Sequence, residues 1–228
     1  MRSLFIVIGG PVLLAGTAIS GLISFVRAIR AGKVPSRPSL GIIAATCLYL
    51  KLCRPWILRW GSRSDELTEP LPGDEVLPTS GTLIQHAVTV DVPAEDAWPW
   101  VAQLGQDRGG FYSYEWLENM AGCEMVNADR IHEEWQDREI GETVKLHPET
   151  GLEVSVFEPG VVLGLKNWGN FVVKPEGPGR CRLIVRGRIP RGLPAIVYAL
   201  LVEVPHFVME RKMLLQIKSL AEQQKQLS

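Results

Sequence analysis

The chain has 228 residues, with 24 basic and 25 acidic side chains and a formal net charge of -1. This length suits one ordinary domain with an additional segment, or two small domains. The near-neutral balance argues against nucleic acid as a partner, because nucleic-acid-binding domains carry a strongly basic surface. The hydrophobic content of 46% is ordinary for a globular protein, so the informative feature is where the apolar residues lie.

The first apolar segment, residues 3–26, contains no charged side chain. A helix of this length reaches about 36 Å, enough to cross a hydrocarbon core of about 30 Å. The glycines and the proline within it are tolerated in membrane helices. A signal peptide usually has a shorter apolar core and a small-x-small cleavage site, and no clean site of that kind precedes the basic run. The sequence therefore predicts a retained transmembrane helix.

A second apolar segment, residues 39–58, has two interpretations. Its uncharged part ends before Lys51, which is short for a span. It is either a second span whose cations reach the headgroups, or an interfacial helix with Trp56 and Trp60 at headgroup level. Basic residues between the two segments predict that this side is cytoplasmic, so the following domain lies in the cytoplasm after one span and outside after two. Further basic residues next to the domain favour a cytoplasmic domain at the inner (cell) membrane.

Residues 61–80 are predicted to be a linker, because they are rich in proline and acidic side chains and show no periodic apolar face. Residues 81–224 have the pattern of a folded domain. Alternating apolar side chains predict a strand over Thr82–Asp91. Pro93 and the acidic residues after it predict the first turn of a helix that ends at Gly105.

A short helix is predicted over Ser113–Met120, and a run of strands follows it. The candidate strands are Glu142–Leu146, Leu152–Phe157, Val161–Lys166, Phe171–Lys174 and Arg180–Ile189. In the last one, apolar side chains alternate with Arg180, Arg182, Arg186 and Arg188, which predicts one buried face and one exposed basic face. The basic face is either simply solvated or contacts anionic lipid headgroups.

A long amphipathic helix over Pro194–Gln224 closes the chain, and Pro205 is expected to kink or split it. The predicted fold class is α+β, with an antiparallel sheet curved around this C-terminal helix. Such a sheet leaves an apolar cavity against the helix if it does not close tightly.

The stretch AVTVDVPAEDAWPWVAQLG resembles the opening of START-like domains, where a strand runs into a proline-acidic helix with a buried tryptophan. The segments LPGDEVLP, GQDRGGFYSYEWLENMAGC, NADRIHEEWQ and HFVMERKMLLQIK resemble a membrane-anchored bacterial branch of that superfamily, also called SRPBCC. It includes polyketide cyclases, dehydrases and lipid-transfer domains. The resemblance covers about Arg54–Leu220 and implies a helix-grip fold with a ligand cavity. It carries over no catalytic residue, because members share a cavity and not a fixed catalytic set.

The densest chemical stretch is 105–135. Its glycines follow a predicted helix and lack the Gly-Lys-Ser/Thr of a phosphate loop, which indicates turns. The aromatic cluster at 111–116 suits either the mouth of a pocket or ordinary packing. Asp129 and Arg130 either fix a turn or meet the polar head of a ligand. His206 is either a core-edge histidine or an acid–base group facing the cavity.

The candidate ligand-binding residues are therefore Tyr112, Tyr114, Trp116, Asp129, Arg130, Trp135 and His206. No motif indicates a metal or another cofactor, since the His132-Glu133-Glu134 sequence lacks the second histidine of a zinc helix.

The leading hypothesis is membrane-anchored binding of a hydrophobic small molecule or lipid in a sheet–helix cavity. The first alternative is a cyclase- or dehydrase-type enzyme acting on a ketide-like substrate, with His206 or Tyr114 transferring a proton. The second is a non-enzymatic interaction domain whose cavity is filled. The sequence identifies neither a catalytic motif nor a protein partner.

Overall fold

The computed structural model describes residues 10–227, and the chain forms two units. The helical unit comprises the residues up to Leu58 together with Leu193–Phe207. The sheet unit comprises Arg59–Gly192 and the residues from Val208 onward. The predicted first span, 3–26, begins outside the described residues, and a helix from Gly10 covers the rest of it.

The helices are α1 (Gly10–Arg30), α2 (Arg37–Leu48), α3 (Arg54–Leu58), α4 (Ala94–Ala102), α5 (Glu115–Met120), α6 (Leu193–Val197) and α7 (Glu203–Leu227). Two π-helical turns join neighbouring helices, Tyr49–Cys53 between α2 and α3 and Tyr198–Val202 between α6 and α7. Short 3-10 helices lie at Asp74–Val76 and Glu133–Trp135.

Two of the resulting continuous helices in the described residues, Arg37–Leu58 and Leu193–Leu227, are long and apolar enough to cross a membrane. The first contains the predicted second apolar segment and has 22 residues, a length of about 33 Å. The second is not split at Pro205. Proline lacks an N–H and collides with the carbonyl four residues earlier, and the wider π-helical turn that precedes Pro205 accommodates this defect.

The helical unit exposes many apolar side chains and buries polar ones, among them Glu203. Exposed apolar side chains include Leu22, Ile23, Ile29, Leu48, Leu50, Leu52, Ile196 and Leu201. Inside, Glu203 is 1% exposed and accepts hydrogen bonds from Arg54 Nε at 3.0 Å and Tyr49 Oη at 3.3 Å. An exposed apolar surface around an internally satisfied ion pair is the arrangement expected of membrane helices.

The sheet unit contains six antiparallel strands in the order β1-β6-β5-β4-β3-β2. They are β1 (Thr82–Val90), β2 (Thr143–His147), β3 (Thr150–Glu158), β4 (Val162–Leu165), β5 (Gly169–Pro175) and β6 (Cys181–Ile189). The predicted α+β class, the antiparallel sheet and the long C-terminal helix are confirmed, and each predicted strand lies close to an observed one.

The inner face of the sheet packs against α4 and α7 in one apolar core. Trp100 of α4, Leu183 of β6 and Leu214 of α7 are among its fully buried side chains. A polar contact is buried with them, between His86 Nδ1 of β1 and Glu210 Oε1 of α7 at 2.8 Å. The core therefore occupies the layer in which the sequence predicted a cavity against the helix.

The outer face of the sheet is also covered, which corrects the prediction of an exposed basic face. Arg182 is 5% exposed and Arg186 is 4% exposed. Residues 61–80, named here the covering segment, lie over this face: Leu71 packs in a second apolar cluster with Ile184 of β6. The segment predicted to be a linker thus contributes buried side chains to the sheet unit.

Carboxylates of the covering segment make the burial of these arginines possible. Arg182 donates from Nε and Nη2 to the two carboxylate oxygens of Glu66, at 2.6 and 2.7 Å. Arg186 donates to Asp74 Oδ2 at 2.6 Å and to Gln85 Oε1 at 2.7 Å. Burial alone would raise the pKa of the Glu66 carboxyl, but the hydrogen bonds and charges of Arg182 and Arg63 together outweigh it and hold that pKa below its usual value.

Replacing Glu66 with alanine is expected to lower the free energy of unfolding of the sheet unit by about 3–5 kcal/mol, because Arg182 would remain buried without its partner. Urea unfolding of the full chain in detergent, followed by tryptophan fluorescence, measures this. Glu176→Ala is the matched control: Glu176 pairs with the exposed Arg63, so its loss should change stability little. Equal destabilisation by both variants would contradict the structural role of the buried pair.

Candidate functional site

An open cleft of about 430 Å³ lies on the sheet unit, between the loop that leads into α5, residues 127–129 and one side of α7. Aromatic, charged and amide side chains line it together. The lining residues are Tyr112, Ser113, Tyr114, Glu115, Trp116, Asn127, Ala128, Asp129, Lys212, Gln216 and Leu220.

The loop before α5 is held in an unusual backbone conformation at Tyr112. This residue has a φ of 54°, in the left-handed region that disfavours side chains. It is fully buried, its Oη accepts a hydrogen bond from Gln103 Nε2 at 2.7 Å, and its N donates to Asn127 Oδ1 at 2.6 Å. Such a conformation costs on the order of 1–3 kcal/mol and persists only where surrounding contacts fix it. The aromatic wall of the cleft is thereby set in place before any ligand arrives.

Asn127 ties the two loops of the cleft together. Its side-chain oxygen accepts the hydrogen bond from Tyr112 N. Its backbone N donates a hydrogen bond to Glu115 Oε1 at 2.6 Å, and its Nδ2 donates one to Ser113 O at 3.4 Å. Gly110 allows this approach, because a Cβ at that position would lie 2.4 Å from Asn127 Oδ1. Asn127 therefore has a structural role in the cleft.

The two walls of the cleft differ in chemistry. On α7, Lys212 Nζ donates to Gln216 Oε1 at 2.8 Å, which places a cation and an amide one helical turn apart. Trp116, on α5, is 46% exposed and forms part of the opposite wall with Tyr114. Aromatic side chains beside a few polar groups suit an amphipathic ligand with an apolar body and a polar end.

The structure brings four of the seven predicted site residues to this cleft: Tyr112, Tyr114, Trp116 and Asp129. The other three lie elsewhere. Arg130 is exposed and contributes its carbonyl oxygen to Gln103 Nε2 at 3.0 Å, while the Trp135 ring stacks on His132 at 4.0 Å between centroids. His206 belongs to the helical unit, where Nδ1 lies 2.7 Å from Tyr198 Oη.

Lys212 and Gln216 were not predicted as site residues. Their four-residue spacing on an amphipathic helix was visible in the sequence, but it did not indicate which loop they face.

Glu118 of α5 is a titratable group beside the cleft that the sequence did not single out. Burial, the largest cause, and the like charge of Glu115 together raise the pKa of its carboxyl to about 7, against a smaller lowering by a hydrogen bond with Ser113. Both neighbours line the cleft. A carboxyl that titrates near neutrality is suited to accept or donate a proton.

This raised pKa predicts a pH dependence of stability. The folded protein holds the Glu118 proton up to about pH 7, whereas a carboxyl at the ordinary value of 4.5 has already lost it. Stability should therefore fall as pH rises from 4.5 to about 7, by on the order of 1–2 kcal/mol after allowance for partial exposure.

Glu118→Gln removes the titration, so the variant should lack this fall and unfold at higher urea than the parent at pH 8. Urea midpoints measured from pH 4.5 to 8 test this. The exposed Glu149→Gln is the control and should keep the parent profile. An unchanged profile in Glu118→Gln would show that another group causes any fall.

Comparison of the chain with protein families, curated proteins and solved structures finds no match. The resemblance to START-like domains is not tested by this result and stays a prediction.

Proposed function

We propose that this protein is a membrane-anchored module whose sheet unit binds a hydrophobic small molecule or lipid. The observation that carries the proposal is the cleft beside α7, where a fixed aromatic wall faces Lys212 and Gln216. Its volume of about 430 Å³ falls within the range of about 300–1,000 Å³ typical of small-molecule sites.

The ligand's apolar part would pack against Tyr114, Trp116 and Leu220, and its polar end would meet Lys212 or Asp129. Each Å² of apolar surface removed from water contributes roughly 25 cal/mol to such binding. Because buried side chains fill the layer beneath α7, the ligand lies beside that helix and not under it.

The order of elements supports the proposed kinship with START-like domains. β1 leads into α4 and α5, a run of antiparallel strands follows, and α7 packs its buried residues on the inner face of the sheet. We extend the helix-grip description to this unit on that basis. The ligand class is the one that the same resemblance implies.

The helical unit is the proposed anchor. Its exposed apolar side chains and the 22-residue helix Arg37–Leu58 support insertion in a bilayer. Arg27, Arg30, Lys33 and Arg37 lie at or near the connection between α1 and α2, which favours a cytoplasmic location for that connection. A single span at the cell membrane then leaves the sheet unit in the cytoplasm, and two spans place it outside.

The binding proposal is tested with the full chain in detergent, using a fluorescent fatty acid as the probe. Trp116→Ala should weaken its binding by about tenfold, because the indole contributes a large apolar contact area. Trp135→Ala is the matched control, since this tryptophan does not line the cleft, and should bind like the parent. Absence of saturable binding by the parent, with no lipid retained in native mass spectrometry, would contradict the proposal.

Anchoring and sidedness are tested in cells that express the chain. It should stay in the membrane pellet after alkaline carbonate extraction. Cys123, a partly exposed thiol of the sheet unit, should react with a membrane-impermeant maleimide only after the membrane is opened if the sheet unit is cytoplasmic. Cys123→Ser identifies the signal of this thiol. Labelling of Cys123 in intact cells would place the sheet unit outside. Release of the chain from the membrane by carbonate would contradict the proposed anchoring.

A cyclase- or dehydrase-type enzyme acting on a ketide-like substrate is the second candidate, favoured by Glu118. Its carboxyl has a pKa raised to about 7 by burial, which suits general acid–base catalysis beside the cleft. Under this alternative, Glu118→Gln abolishes turnover of a ketide substrate while binding of the fluorescent fatty acid persists. Turnover that survives in this variant would exclude Glu118 as the proton-transfer group.

A further inference from the structure

A second cleft, named here the outer cleft, lies at a margin of the sheet, where the end of the covering segment meets β3, β6 and the turn between β4 and β5. Its volume is about 410 Å³. Leu77 and Trp168 are among its apolar walls, and Ser155, Lys166 and Arg188 are among its polar ones. This cleft lies on a different part of the sheet unit from the one beside α7, and the two share no lining residue.

Arg188 is distinguished by what it lacks. The three preceding arginines on its side of β6, Arg180, Arg182 and Arg186, each pair with a carboxylate. Arg188 is half-buried and, among the described residues, has neither an ion-pair partner nor a hydrogen-bond acceptor for its guanidinium. A partly desolvated guanidinium that faces a cleft is a binding group for an anion, because its planar fork matches carboxylate and phosphate oxygens.

Ser155 supplies a second unsatisfied group in the same cleft. Its Oγ is buried and has no hydrogen-bond partner among residues 10–227. It lies at the irregularity of the β3–β4 pairing, between Val154 and Val156, and such bulges re-aim side chains at binding sites. A ligand oxygen would satisfy this hydroxyl and remove the cost of leaving it unpaired.

Two further features support the assignment. Asn167, in the turn between β4 and β5, contributes a polar residue to the cleft wall. Lys166 adds a positive charge, although it also pairs with Glu153 at 2.9 Å. The polar part of the cleft is therefore cationic, and the remainder is apolar and aromatic.

We propose that this outer cleft binds an organic anion, either a carboxylate or a phosphate monoester. Its charged oxygens would accept hydrogen bonds from the Arg188 guanidinium and the Ser155 hydroxyl. Its apolar or aromatic part would pack against Leu77 and Trp168. The site is independent of the ligand site proposed in the cleft beside α7.

The test is calorimetric titration of the full chain in detergent micelles with benzoate, phenyl phosphate and the neutral benzamide. At least one anion should bind saturably, and benzamide should bind more weakly by about tenfold or more, because it lacks the charge that Arg188 recognises. Tighter binding of phenyl phosphate assigns phosphate esters as the ligand class, and tighter binding of benzoate assigns carboxylates. A higher salt concentration should weaken the binding of either anion.

Three variants locate the site. Arg188→Gln should lower the affinity for the anion by about tenfold or more, and Ser155→Ala should lower it severalfold, since each substitution removes a hydrogen-bond donor. Arg180→Gln is the matched control: Arg180 lies on the same strand side but pairs with Asp91 at 3.0 Å, and its loss should leave affinity unchanged. The proposal is overturned if neither anion binds the parent, if benzamide binds as tightly, or if Arg180→Gln reduces affinity as much as Arg188→Gln.

Discussion

The burial of Arg182 beneath the covering segment is the interaction on which the sheet unit most depends. A guanidinium removed from water is tolerated only when a carboxylate and further acceptors satisfy it. Glu66 provides both oxygens of its carboxylate, and Thr89 Oγ1 and the Gly61 carbonyl accept two further hydrogen bonds at 2.9 Å. These hydrogen bonds thus fix where the covering segment crosses the outer face of the sheet.

With the covering segment in place, both faces of the sheet are occupied. The inner face is closed by α4 and α7, and much of the outer face by Leu71 and its neighbours. Both clefts described above are therefore found at the margins of these layers, one beside α7 and the other where residues 76–79 leave the sheet. A ligand at either margin meets the end of a packed core and polar side chains together. This explains why both proposed ligands are amphipathic.

Local sequence patterns predicted the regular elements well. Alternation of apolar and polar residues located β1 and β6, and Pro93 with the acidic residues after it located the start of α4. Both signals depend on residues that are close together in the sequence. The same alternation was wrong about the second face of β6. The partner of Arg182, Glu66, lies 116 positions away in the sequence. A local sequence pattern cannot predict a contact between residues so far apart in the chain.

The candidate site was predictable in part for the same reason. Tyr112, Tyr114 and Trp116 are close in sequence, so their clustering suggested a common wall. Lys212 and Gln216 complete the cleft from α7, and only the packing of that helix decides which loop they meet. Arg130 and Trp135 follow the cleft residues closely in sequence, but neither lines the cleft.

Photo-crosslinking tests most directly the claim that an amphipathic ligand lies beside α7. The full chain in native membranes is irradiated with a diazirine-bearing fatty acid, and the modified peptides are mapped by mass spectrometry. Adducts at residues 112–116 and 212–220 are the predicted result. Adducts confined to the helical unit, with none in the sheet unit, would show that the lipid merely surrounds the proposed anchor and would contradict the proposed binding site.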